Sequence, residues 1–201
     1  MADAPKRSPF QTSRADYFAG LGELMHTFAQ VEAQLQYALW AEAGVTPEVA
    51  KAVFSGVRID QGKSYIVRLM DSLGRKRDPL LAHGFAQLTE INNVRNDIVH
   101  YGARFEAGLM VVSTEIAAHT PEKLRVTPVS KEILEAMTSD LLHIKWIIML
   151  HMLQLERPLP DQEKRVKEAF ERPWRYKPPP QPLPRKQNRD QRPKQSRQRD
   201  A

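Results

Sequence analysis

An all-α fold of four to five helices, with a short β-hairpin-like insertion before the last helix, follows from three features of the sequence. Apolar residues recur at three- and four-residue spacing through several long segments. Proline and glycine mark the ends of those segments. Within the helical region, residues 103–129 change character, with two runs rich in β-branched residues.

The first helix is predicted over about Asp16 to Ala43, with Leu21, Leu24, Met25, Phe28, Val31, Leu35 and Leu39 on one face. Gly44 stops it. "TPEVA" restarts the chain with Thr46 as N-cap and Pro47 in the first helical position, and this short helix runs to Phe54. A third helix carries Ile59, Ile66, Leu69, Met70 and Leu73 and ends near Gly74. Asp78-Pro79 opens the fourth helix in the same cap-then-proline manner. It carries Leu81, Phe85, Leu88, Ile91 and Val99, with Gly102 just past its end. "LMVVSTEI" and "LRVTPV" then read as a hairpin or an extended excursion. Ser130 caps a last helix with Leu134, Met137, Leu141, Ile144 and Ile148 along one side.

Charge divides the chain. Residues Arg157 to Ala201 hold 14 Lys/Arg and 6 Asp/Glu, against totals of 30 and 24, so the +6 net charge belongs to the C-terminal part. The remainder is slightly acidic. The expected organisation is a disordered leader (1–13), a helical domain (14–156), a short helical extension at "DQEKRVKEAF" (157–172) and a disordered, basic, proline-rich tail (173–201). With no cysteine, disulfides and thiolate metal sites are excluded. The longest apolar stretch, "LLHIKWIIMLHMLQL", is interrupted by Lys145 and two histidines and falls short of the ~20 residues of a membrane span. A soluble, cytoplasmic protein without a secretory signal is expected. The run Trp146–Leu155 reads as core or as a dimer seam.

The end of the fourth helix poses the chemical question. On a wheel of 100° per residue, Asn92 and Arg95 fall within about 40° of Leu81, among the apolar positions; Asn96 lies on the edge of that sector, and His100, four residues on, lies on the same side as Asn96. Buried amides and guanidinium groups are costly unless paired or used. Glu32 falls within the apolar stripe of the first helix, so a pair between Glu32 and Arg95 or His100 is expected. A purely structural cluster, with Asn96 and His100 finishing the helix, accounts for the same residues.

"RNDIVH" fits R-N-x-x-x-H, follows "LTEINNV" and precedes an aromatic and a glycine. With a long first helix containing "FAQVEAQL", then "FSGVRID", the motif helix and a closing helix, the region Asp16–Glu156 resembles the HEPN superfamily. Tyr101, between the histidine and the glycine, departs from the usual pattern. The resemblance implies a HEPN-like bundle, a homodimer, and a metal-independent endoribonuclease whose composite cleft lies where two motif helices meet. It implies Arg95, Asn96 and His100 as the catalytic set; Glu32, Asn92 and Tyr101 are read beside them as supporting residues. It also implies a toxin–antitoxin or defence role, with a nucleotidyltransferase-like antitoxin as a partner.

The residue types suit that chemistry. Attack of a ribose 2′-hydroxyl on its neighbouring phosphate needs a base, an acid for the leaving oxygen and a cation for the phosphorane. Histidine titrates near neutrality and arginine grips phosphate with two parallel donors. In the tail, Trp174, Arg175, Tyr176, Arg185 and Lys186 are candidate RNA contacts by stacking and charge. No H-E-x-x-H, P-loop, G-x-G-x-x-G or G-x-S-x-G pattern occurs, and no cofactor or metal is expected. The competing functions are a non-catalytic dimer that binds RNA, a nucleotide or a protein, and a helical adaptor.

Overall fold

The computed structural model describes residues 14–106, 109–120, 124–156 and 170–179. Among the described residues the helices are α1 (Arg14–Ala43), α2 (Pro47–Phe54), α3 (Ile59–Ser72), α4 (Pro79–Tyr101) and α5 (Lys131–Glu156). The expected boundary signals operate locally. Asp78 Oδ1 accepts a hydrogen bond from Leu80 N at 2.9 Å, beside the proline that opens α4. Gly102 ends that helix at φ 66°, in the left-handed region that a side chain disfavours, and its N–H returns to the Ile98 carbonyl.

Helices α1, α3, α4 and α5 enclose the core. A Cβ on Gly20 would lie 3.3 Å from Leu134, Lys145 donates to Gln30 at 2.7 Å, and His151 meets Glu42 at 2.7 Å, so α1 and α5 run in the same direction. Helix α4 runs against them, with Gly84 beside Ile147 and Gln87 bonded to Asp140. Leu24, Phe28, Val31, Leu39, Ile66, Leu88, Ile91, Leu134, Met137, Leu141, Ile144 and Ile148 are all essentially inaccessible to water. The apolar periodicity of the sequence therefore marks the true core faces. Gly62 lets α3 close on α1, since a Cβ there would stand 3.1 Å from Leu35. At one end of the bundle, buried Glu42 holds both Arg75 (2.6 Å) and His151 (2.7 Å), which gives an otherwise costly carboxylate two partners.

The insertion is a three-stranded antiparallel sheet rather than a hairpin. Its strands are β1 (Ala103–Glu106), β2 (Leu109–Ser113) and β3 (Val126–Pro128), in the order β1-β2-β3. Val112 pairs with both Ala103 and Thr127. Strand β1 lacks an apolar alternation because it is an exposed edge, and so gave no signal in the sequence.

Three expectations are corrected. Val99 was assigned to the apolar stripe of α4, but it is 53% exposed. The sheet packs against the last turns of α4, and the buried face there moves round to Val94, Asp97 and Ile98. Leu73 was placed on the buried face of the third helix; α3 ends at Ser72, and Leu73 caps it in an exposed position. The tail was expected to be disordered from residue 173, yet residues 170–179 dock against α4 and α5.

That arm is held by a buried carboxylate. Asp140, wholly inaccessible to water, accepts from Gln87 Nε2 at 3.1 Å, from Arg175 N at 3.0 Å and from Tyr176 N at 2.8 Å. Gln87 also donates to the Tyr176 carbonyl at 3.0 Å. Phe170 stacks on His143, and Trp174 donates to His83 Nε2 at 2.9 Å. The expected extension at 157–172 lies mostly outside the described residues; Phe170, within it, is helical. The leader 1–13 also lies outside them.

Burial of His143 lowers its pKa, an effect reinforced by Arg172 and His83 and opposed by the Phe170 carbonyl and Asp140. A histidine whose folded pKa lies below its unfolded value of 6.5 takes up its proton more readily when unfolded. Stability is then complete above that pH and falls as the pH drops below it. Thermal melts at pH 7.5 and 5.0 should show this loss, and His143→Gln should flatten the dependence.

Candidate functional site

The last three turns of α4 carry the polar cluster. Asn92 is buried and donates through Nδ2 to Asp60 Oδ2 at 3.3 Å, in the first turn of α3. Asp60 pairs with Lys63 at 2.8 Å, and Lys63 Nζ donates to Thr89 Oγ1 at 2.5 Å. This chain of contacts fixes α3 against α4, so Asn92 acts as a cross-helix tie.

Arg95 is half-buried, and its guanidinium lies 5.0 Å from the centre of the Phe28 ring. A cation over an aromatic face is attracted by the ring's negative quadrupole. One terminal nitrogen donates to Asn96 Oδ1 at 3.0 Å. Nε is buried without a partner, and no carboxylate pairs with Arg95 among the described residues. The group is thus oriented on two sides and electrically uncompensated, the condition of a site that receives an anion.

Glu32 does not supply the expected counter-charge. It is half-buried on α1 and lines a shallow recess with Gln36, Val57 and Arg58, toward the start of α3. Phe28, one turn earlier, occupies the place against Arg95. His100 does not meet Glu32 either. Its ring is exposed, and its one aromatic neighbour is Tyr101 at 6.3 Å, itself half-buried. Asp97, one turn before His100, is buried and pairs with Arg125 at 2.9 Å. Burial raises the Asp97 pKa, against the opposing charges of Arg125 and His100.

The structure therefore gathers Asn92, Arg95, Asn96 and His100 on the final turns of one helix, with exposed Val99 among them. It does not place the tail aromatics as a free stacking surface. Tyr176 is 4% exposed, and Trp174 is tied to His83 and packs on His143, so only the side chain of Arg175 faces solvent. Arg185 and Lys186 lie outside the described residues. Sequence reasoning missed Asp140 and Gln87, which hold the arm, and Phe28 as the support for Arg95. No described helix is long and apolar enough to cross a membrane.

Comparison with protein-family models, with curated proteins and with solved structures finds no match to this chain.

Proposed function

We propose that the chain is a HEPN-type, metal-independent endoribonuclease acting as a homodimer, with Arg95, Asn96 and His100 as its catalytic residues. The observation that carries this reading is Arg95: a guanidinium over the Phe28 ring, bonded to Asn96, paired with no carboxylate among the described residues, and five residues from an exposed imidazole. Arg95 binds the non-bridging phosphate oxygens. One imidazole takes the 2′-hydroxyl proton as the 2′ oxygen bonds to phosphorus. The bond to the 5′ oxygen breaks, and that oxygen receives a proton from a second imidazole. The products are a 2′,3′-cyclic phosphate and a 5′-hydroxyl.

The dimer has its own support. On one helix, Arg95 and His100 diverge by about 140° at 100° per residue. A second copy related by a twofold axis sets an imidazole opposite a guanidinium, and Val99, 53% exposed between them, gives that axis an apolar contact. A toxin or defence role, with a nucleotidyltransferase-like antitoxin covering the motif, fits the same reading, as does a basic tail holding RNA through its phosphates.

The test is incubation of the purified chain with RNA in EDTA. Cleavage is expected, and Arg95→Ala should reduce it by about 10²–10³-fold, as for loss of a group that stabilises transition-state charge. Arg95→Lys should recover only part, because an ammonium lacks the two-pronged donor geometry. RNA binding without cleavage assigns the chain to the non-catalytic alternative; equal activity of the Arg95 variants overturns the site.

A further inference from the structure

On the flank of α4 away from Arg95, the sheet and the docked arm line a cleft of about 130 Å³. A cavity needs about 10–15 Å³ to hold one water, so this one admits on the order of ten non-hydrogen atoms, the size of a purine. Its walls differ in character. Val94, Val126 and Pro178 are apolar and can sandwich a flat ring. Glu90 and Asn93, on successive turns of α4, present a carboxylate and an amide with no hydrogen bond to any described residue. Asp97, Arg125 and Thr127 also line it, with Asp97 and Arg125 paired to each other; a third group without a hydrogen bond is Tyr176, 4% exposed, whose buried hydroxyl has no partner among the described residues. Burial, with a contribution from the Glu90 charge, pushes that phenol up to about 12, which places Glu90 and the hydroxyl in one local environment.

Unpartnered acceptors beside an apolar slot select a planar ligand with adjacent donors. We propose that this cleft binds a guanine base, whose N1–H and N2 amino group donate to the Glu90 carboxylate while O6 accepts from the Asn93 amide. Adenine presents only one donor on that edge, and uracil one donor between two acceptors, so neither satisfies a carboxylate with two parallel bonds. Asp97 links the cleft to the motif: it lines the wall, and the charge of His100 acts on it. As the base subsite of an RNA substrate this inference rests on the ribonuclease reading; as a guanine cleft it stands without it.

Isothermal titration of the full chain with 5′-GMP, 5′-AMP, 5′-CMP and 5′-UMP tests it. GMP should bind at least tenfold more tightly than the other three. Glu90→Gln should weaken GMP at least tenfold, and Asn93→Ala, at an exposed position that does not bear on folding, by several-fold. If Glu90→Gln proves unfolded by circular dichroism, Asn93→Ala decides. A second arm maps cuts in an RNA of mixed sequence. Cuts beside guanosine that spread to other bases in Asn93→Ala identify the ligand as a residue of the RNA. GMP binding with no RNA cleavage supports the cleft, identifies a free nucleotide as the ligand and removes the ribonuclease reading. Equal binding of all four nucleotides, no binding of GMP, or unchanged GMP affinity in both variants overturns the proposal.

Discussion

His100→Ala is expected to abolish RNA cleavage while leaving the fold untouched. General acid–base catalysis by a positioned side chain contributes about 10²–10⁴-fold, and here one imidazole per protomer divides the two proton transfers, so the loss should reach the upper part of that range. The structural cost is small because the His100 ring is exposed and bonded to no described residue. Surface substitutions usually stay within about 0.5 kcal/mol, or roughly 1–2 °C in melting temperature for a chain of this size. Activity and melting should therefore separate completely. A variant that retains cleavage, or one that loses activity only because it melts many degrees lower, assigns His100 to the bundle and not to the chemistry.

The opposite behaviour is expected of Asp140→Ala. The carboxylate is inaccessible to water and satisfies Gln87, Arg175 N and Tyr176 N together. Its removal takes the acceptor from three donors at once. Leaving buried hydrogen-bonding groups unpaired costs about 1–3 kcal/mol each, but the arm escapes part of that by undocking into water. A net loss of about 3 kcal/mol follows, on the order of 6–12 °C in melting temperature. Limited digestion with trypsin should then cut after Arg175, a site whose backbone the docked arm holds in the parent chain. A melting shift below about 1 °C with unchanged proteolysis means that Asp140 does not hold the arm.

What the sequence made legible was periodic or local. The faces of α1, α4 and α5 were readable because burial of one helix side imposes a three-to-four spacing, and Phe28, Leu88, Met137 and Ile144 obey it. The openings at Pro47 and Pro79 and the stop at Gly102 were readable because caps are chemistry between near neighbours. Long-range contacts were not. Nothing in the composition of "RPWRYKPP" signals docking except its two aromatics, which a disordered segment has no reason to keep. Asp140, which accepts from the Arg175 and Tyr176 N–H groups, lies more than thirty residues away. At the motif, sequence periodicity put Arg95 on the apolar side of α4, where it lies over Phe28. It also suggested Glu32 as the partner, since two polar groups in two stripes invite pairing; the aromatic ring took that place because a delocalised cation is satisfied by a π face. Val99 was misassigned because the wheel assumes one neighbour along the whole helix, whereas the sheet replaces that neighbour over the last turns.

The central claim is that the final turns of α4 bring guanidinium and imidazole groups to bear on a phosphodiester. Mass analysis of the ends left on a short RNA after incubation with the chain in EDTA tests it most directly. The account predicts 2′,3′-cyclic phosphate on one fragment and a 5′-hydroxyl on the other. Intact RNA, or fragments ending in 3′-hydroxyl and 5′-phosphate, would contradict it.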